Sequence, residues 1–144
     1  MKPNQGRLQT GEHILAKIIE GKFGGKVVIA VFDENKGRVD FSSETDLRKV
    51  DLKEIEKKVN ETILQGLEVK KEVRKREEVN LDLSKIPQSV KEIRIVEIVG
   101  FDKRPCKDPH VKNTKEIGYF KILEVKRKGK DRYSFSFVVH SNQP

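Results

Sequence analysis

Two stretches of this chain carry apolar residues at helical spacing, each ends at glycine, and each is followed by runs rich in β-branched residues. In LQTGEHILAKIIEGKFGG, Ile14, Leu15, Ile18, Ile19 and Phe23 fall on one side at about 100° per residue, and Gly24 and Gly25 close the pattern. This predicts a helix over roughly residues 10 to 23. Gln9, His13, Ala16, Lys17 and Glu20 fall on the opposite side, so His13 is expected to face solvent or a cleft rather than the core. In VDLKEIEKKVNETILQG, Asp51 stands at an N-cap with Glu54 three residues on, the spacing of a capping box, and Val50 and Ile55 suit a hydrophobic staple. Leu52, Ile55, Val59 and Ile63 form its apolar stripe, which Gly66 ends.

The intervening segments alternate as strands do. KVVIAVF and the residues near 38 to 42 flank the polar turn Asp33 to Gly37 and predict a hairpin. LEVKKEVRKR predicts a strand running into a basic cluster, EEVNLDLSKIP a short helix or irregular excursion, and KEIRIVEIV another strand. Residues 102 to 116 contain Pro105 and Pro109 and are expected to form a loop. IGYFKILEVKRKGKDRYSFSFVV predicts a closing hairpin with its turn at Lys128, Gly129 and Lys130. The fold class that follows is α+β, helices on one side of a mainly antiparallel β-sheet, in one domain over residues 1–144.

Hydrophobic residues make up 35% of the chain and charged residues 38%, so a modest core must do the work of folding. Lys and Arg outnumber Asp and Glu by 31 to 23, a balance that attracts polyanions such as nucleic acid or anionic lipid. Abundant Lys and Glu together also mark heat-adapted proteins, and the composition alone leaves the two readings open. One cysteine excludes an internal disulfide, and with no leader-like segment after Met1 the expected compartment is the cytoplasm. No apolar run approaches the roughly 20 residues that span a bilayer, so no membrane partner is expected.

The residue types that carry chemistry gather in RPCKDPHVKNTKEIG, where Cys106 precedes His110 by one helical turn's worth of chain. Thiolate and neutral imidazole are the ligands zinc prefers, and His13, with Gln9 four residues before it, offers further donors from the first helix. Each residue also has an ordinary role: a lone cysteine is commonly a small hydrophobe, and a histidine on a polar helix face is commonly just solvated. A Cys106 nucleophile with a histidine base lacks a recognisable orienting acid.

The helix carrying His13, the hairpin, the capped second helix and CKDPHVKNTKEIGYFKI together resemble the AlaX family, free-standing relatives of the alanyl-tRNA synthetase editing domain. The resemblance runs over about residues 8 to 139, with Cys106, His110, Thr114, Glu116, Ile117 and Gly118 at the family's spacing. It implies the fold of the editing domain shared by alanyl- and threonyl-tRNA synthetases. It also implies hydrolysis of the ester of serine or glycine mischarged on alanine tRNA, with tRNA as partner. Zinc is then the implied cofactor, at Gln9, His13, Cys106 and His110. Gln9 departs from the family, which has histidine there, and an amide oxygen is a much poorer zinc ligand than imidazole.

Three good ligands remain, and three ligands plus water is the arrangement of catalytic zinc. His13 and His110 are also the candidate catalytic groups, as general bases should metal be absent. The family commonly places a polar side chain where the hairpin here reads KVVIAVF, so Val28 and Ala30 are expected to line an apolar amino-acid pocket. Thr114 and the amides around Gly118 are candidates for positioning the terminal adenosine, or else simply form a capped turn. Of three basic clusters, around Lys70 to Arg76, at Lys103, Arg104, Lys107 and Lys112, and from Lys126 to Arg132, the second brackets the Cys106 loop and is the candidate contact for tRNA phosphates. A non-catalytic RNA-binding module and a deacylase for another aminoacyl-tRNA remain as alternative functions. The sequence leaves the oligomeric state undetermined.

Overall fold

A computed structural model describes residues 4–141, and its elements follow the apolar patterns closely. Helix α1 spans Gln5–Phe23 and α2 spans Leu52–Leu64; the strands are β1 Lys26–Phe32, β2 Lys36–Ser42, β3 Val69–Lys75, β4 Glu92–Ile98, β5 Asp102–Pro105, β6 Tyr119–Gly129 and β7 Arg132–His140. The class is α+β with antiparallel pairing throughout, but the strands form two sheets rather than one. One has the order β1-β2-β7-β6, the other β3-β4-β5. Periodicity identifies a strand but not its partner, because pairing is decided by residues far apart in the chain.

Most of the core lies where α1 and α2 pack on the four-stranded sheet. Leu8, Ile14, Leu15 and Ile19 of α1 are buried with Ile55, Val59 and Ile63 of α2 and with Val39, Phe41, Phe120, Phe135 and Phe137 of the sheet. The Asp51 side chain accepts from Glu54 N at the start of α2, as the capping residues predict. Gly66 then takes a left-handed φ of +65° just beyond its end.

Three expectations need correction. Helix α1 begins at Gln5 rather than near residue 10, and includes three glycines, Gly6, Gly11 and Gly21, that lower helix propensity. Gly6 has a packing reason to be there: a Cβ would sit 3.2 Å from the His110 carbonyl carbon, so a side chain would crowd the 110 loop and shift it by a few tenths of an ångström. The stretch from 102 to 116 is not all loop, since β5 pairs with β4 at its start. Pro105 is tolerated because β5 is an edge strand and ends there. The last hairpin pairs Gly129 with Arg132, which moves its turn to Lys130 and Asp131, where Asp131 accepts φ +55°.

Two segments are organised by single side chains. After β3 the chain makes a short 3-10 turn at Arg76–Glu78 and an irregular excursion up to β4. The Arg76 guanidinium gathers that excursion by donating to the carbonyls of Leu83, Ile86, Pro87 and Val90. Thr114, fully buried at the head of a second 3-10 turn, Thr114–Ile117, accepts from Leu67 N at 2.9 Å and donates to Ile63 O at 3.0 Å. It thereby closes the C-terminal end of α2. Replacing Thr114 with Val should cost about 1–3 kcal/mol in urea unfolding, because Leu67 N and Ile63 O lose their partner inside the protein.

Candidate metal centre

The α1 stretch QTGEH and the loop between β5 and the Thr114 turn meet face to face. One donor atom each from His13, Cys106 and His110 lie within 4.8 Å of one another. His110 Nε2 is 3.3 Å from Cys106 Sγ, and the His13 and His110 rings meet edge-on with centroids 4.5 Å apart. His13 and His110 are buried, while Cys106 is partly accessible. The chain thus brings together groups separated by more than ninety residues.

The α1 polar side, expected to face solvent or a cleft, is largely covered. Gln9, Glu12, His13 and Ala16 are all buried, leaving Lys17 exposed. The cover comes from the loop carrying His110 and from β5, whose Arg104 donates to Glu20 of α1 at 2.9 Å. A helix that looks amphipathic by its own sequence is therefore buried on two sides.

Thr10 sets the state of His110. Its hydroxyl donates to Gly6 O at 2.8 Å, as a helical threonine can, and accepts from Val111 N at 3.2 Å. Its remaining lone pair faces His110 Nδ1 at 3.0 Å. With the hydroxyl proton already used, this contact places the imidazole proton on Nδ1 and leaves the Nε2 lone pair toward Cys106. His13 Nδ1 is buried with no hydrogen-bond partner among the described residues, an orphaned donor site of the kind a cation satisfies.

The electrostatics also suit a metal. Burial, then the charges of Lys71 and Arg94, push His110 down to about 4, and burial with His110 and Arg104 holds His13 well below its ordinary value. Both imidazoles are therefore neutral at pH 7, the form that ligates. Burial raises the Cys106 thiol to about 11 against the pull of the Asp108 backbone N–H, so without a cation the sulfur keeps its proton. That argues against a free thiolate nucleophile. Two neutral imidazoles, a cysteine sulfur and an orphaned nitrogen fit a zinc-type ion.

The remaining predicted residues are outside the donor cluster, and several are already engaged. Arg104 is an internal group: Nε and Nη2 bond both Asp102 oxygens, at 2.6 and 3.0 Å, besides Glu20. Its sequence neighbours Lys103, Lys107 and Lys112 are exposed, with Lys103 3.8 Å from Glu72. Val28 and Ala30 are half-buried on edge strand β1, where a bulge falls between Val27 and Ile29, and Lys85 donates to the carbonyls of Val27 and Val28. Thr114 is spent on α2. Gly118, at φ +84°, gives its amide to Lys115 O, and a Cβ there would collide with the His140 carbonyl oxygen.

Sequence reasoning passed over Thr10 and Glu12. Glu12 is buried, its carboxylate 4.0 Å from His13 Nε2, and burial raises it to about 7 against the pull of Arg104. Neither residue type is distinctive inside a helix. The one available signal was their place in the two turns that present His13. A groove of about 930 Å³ runs between α2 and β6 and is lined by none of the cluster residues.

Residues 93–132 match the family described as Threonyl and Alanyl tRNA synthetase second additional domain. The Alanyl-tRNA editing protein AlaX-M of Methanosarcina barkeri is 34% identical over 140 residues, covering 92% of this chain and 57% of that protein. The AlaX-M protein of Saccharolobus solfataricus is likewise 34% identical, over 139 residues, covering 92% of this chain and 58% of its own length. An Alanine--tRNA ligase from Methanococcus vannielii is 33% identical over 139 residues, 90% of this chain and 16% of the ligase. The chain therefore spans a little over half the length of its AlaX-M relatives. No helix among the described residues is long and apolar enough to cross a membrane.

The Thr10 contact is open to direct measurement. In long-range ¹H–¹⁵N NMR at pH 7 the metal-free protein should show His110 as the Nδ1–H tautomer. Thr10→Val should redistribute the proton between the two nitrogens and lower stability by about 1–3 kcal/mol, through the lost partner of Val111 N.

Proposed function

As a relative of the AlaX alanyl-tRNA editing proteins over 92% of its length, this chain is, we propose, a trans-acting aminoacyl-tRNA deacylase. Residues 1–144 act as one editing-type domain that hydrolyses serine or glycine mischarged on alanine tRNA, in the cytoplasm and with zinc at the histidine–cysteine cluster. The observation that carries this reading is the convergence of His13, Cys106 and His110 in a chain with these relatives.

Ester hydrolysis needs an activated water and a stabilised tetrahedral oxyanion. When bound, zinc supplies Lewis acidity that can acidify a water or orient the ester carbonyl. The chain's own part is to hold donors ready. Thr10 keeps the His110 Nε2 lone pair turned toward Cys106, and burial keeps both imidazoles unprotonated. A histidine pushed down to about 4 is a weak general base, which supports ligand duty for His110 over proton abstraction.

Cations near the cluster favour an anionic substrate end. Lys71 and Arg94 are near enough to His110 to depress its basicity, and Lys103, Lys107 and Lys112 stand exposed around the loop. Their contribution is phosphate attraction without sequence reading. Arg104 is replaced in that role by Lys71 and Arg94. Val28 and Ala30 are retained as the apolar lining for the aminoacyl group, which would discriminate small side chains by only about 1–3 kcal/mol.

The experiment is amino-acid release from Ser-, Gly- and Ala-esters of alanine tRNA by the zinc-supplemented protein. Selective release of serine or glycine is expected, with His110→Ala reducing the rate by more than the roughly 10–100-fold typical of losing an outer-shell partner. If all three esters survive while the tRNA is still bound, the protein is an RNA-binding module. In that case Gln9, in place of a ligand histidine, is the first residue to suspect.

A further inference from the structure

The cluster leaves one part of a cation's requirements unmet among the three named donors. Two are neutral imidazoles and the third is a single sulfur. A divalent ion held by them with the thiol ionised keeps one positive charge uncompensated in largely buried surroundings. Such a charge is costly unless an anion stands close to it. Gln9, one turn before His13, brings a neutral amide and no charge.

Glu12 has the properties of the missing group. Its residue is 5% exposed, and Oε2 lies 4.0 Å from His13 Nε2. Among the described residues its carboxylate accepts no hydrogen bond, whereas buried carboxylates are ordinarily bonded or paired. Arg104, the guanidinium near enough to influence it, is already committed to both oxygens of Asp102 and to Glu20. Asp108, 3.8 Å from Cys106 Sγ, is the other candidate acid, but it is exposed and water screens it. A buried carboxylate without a hydrogen bond thus stands beside a histidine whose Nδ1 is also without a partner.

We propose that Glu12 is the anionic member of the cation site, supplying the negative charge that balances a divalent ion held by His13, Cys106 and His110. The proposal rests on the metal-binding reading above and extends it to a residue outside the histidine and cysteine set. Glu12 stands outside the group of donor atoms formed by His13, Cys106 and His110, beside His13 Nε2, and from there it places its charge next to the cation. In the metal-free protein the same carboxylate is a cost, since it is largely buried and accepts no hydrogen bond among the described residues. A merely structural carboxylate would show the opposite behaviour, because its loss would weaken the fold with or without metal.

Cobalt(II) titration of the full chain, in competition with a chelator, separates these cases. Glu12→Gln should lower cobalt affinity about 10–100-fold. Glu12→Asp, which keeps the charge at shorter reach, should recover part of it. Melting in excess EDTA should show Glu12→Gln at least as stable as the parent protein. Equal cobalt affinity in the parent and Glu12→Gln overturns the proposal, as does a loss of metal-free stability large enough to account for the weaker binding. If the parent protein binds no cobalt, the metal-binding reading fails first, and this proposal with it.

Discussion

Everything in the site depends on α1 being buried on two sides. Its apolar residues, among them Leu8, Ile14, Leu15 and Ile19, are held in the core by α2 and the four-stranded sheet. Its polar side is covered by β5 and the His110 loop, held by the Thr10 and Arg104 contacts. The first contact set fixes the helix. The second converts residues that would otherwise be solvated into a desolvated cluster, where imidazoles stay neutral and an ion pair or a bound cation gains strength. Gly6 favours this, because a side chain there would crowd the 110 loop where it packs on the helix backbone.

Within that frame the stretch QTGEH divides the labour. His13 offers a donor from the helix, Thr10 turns the His110 donor arriving from the other side of the seam, and Glu12 brings charge. The loop contributes Cys106 and His110 in return, steadied by the Asn113 and Glu116 caps of the following turn and by Thr114 at the end of α2. Catalytic or metal-binding groups gain from such support because a donor fixed by packing and outer hydrogen bonds loses little entropy on binding. The ion network of Arg104 with Asp102 and Glu20 belongs to the same scaffold, locking β5 to α1.

What could be read from the sequence was what depends on neighbouring residues. The helical stripes, the Asp51 cap and the hairpin at Asp33 to Gly37 are local, and they stand where periodicity and turn chemistry put them. Cys106, His110 and His13 were visible because thiolate and imidazole are the ligands zinc prefers and because the stretches that carry them resemble a family that holds a metal there. What could not be read was burial from afar. The cover over His13 comes from residues about a hundred positions away, so its helix face alone suggested exposure. Arg104 read as one of a run of surface cations because its partner Glu20 lies 84 residues off. Thr10 and Glu12 are commonplace residues in a helix, and only the positions of His110 and His13 give them a role. The short strand β5 was hidden by its proline, which an edge position tolerates.

The proposed chemistry requires His13, Cys106 and His110 to hold one metal ion together. X-ray absorption at the zinc edge of the zinc-loaded protein tests it most directly. One sulfur at about 2.3 Å together with imidazole nitrogens at about 2.0–2.1 Å is the expected first shell. A first shell without sulfur, or zinc bound without any histidine signature, would contradict it.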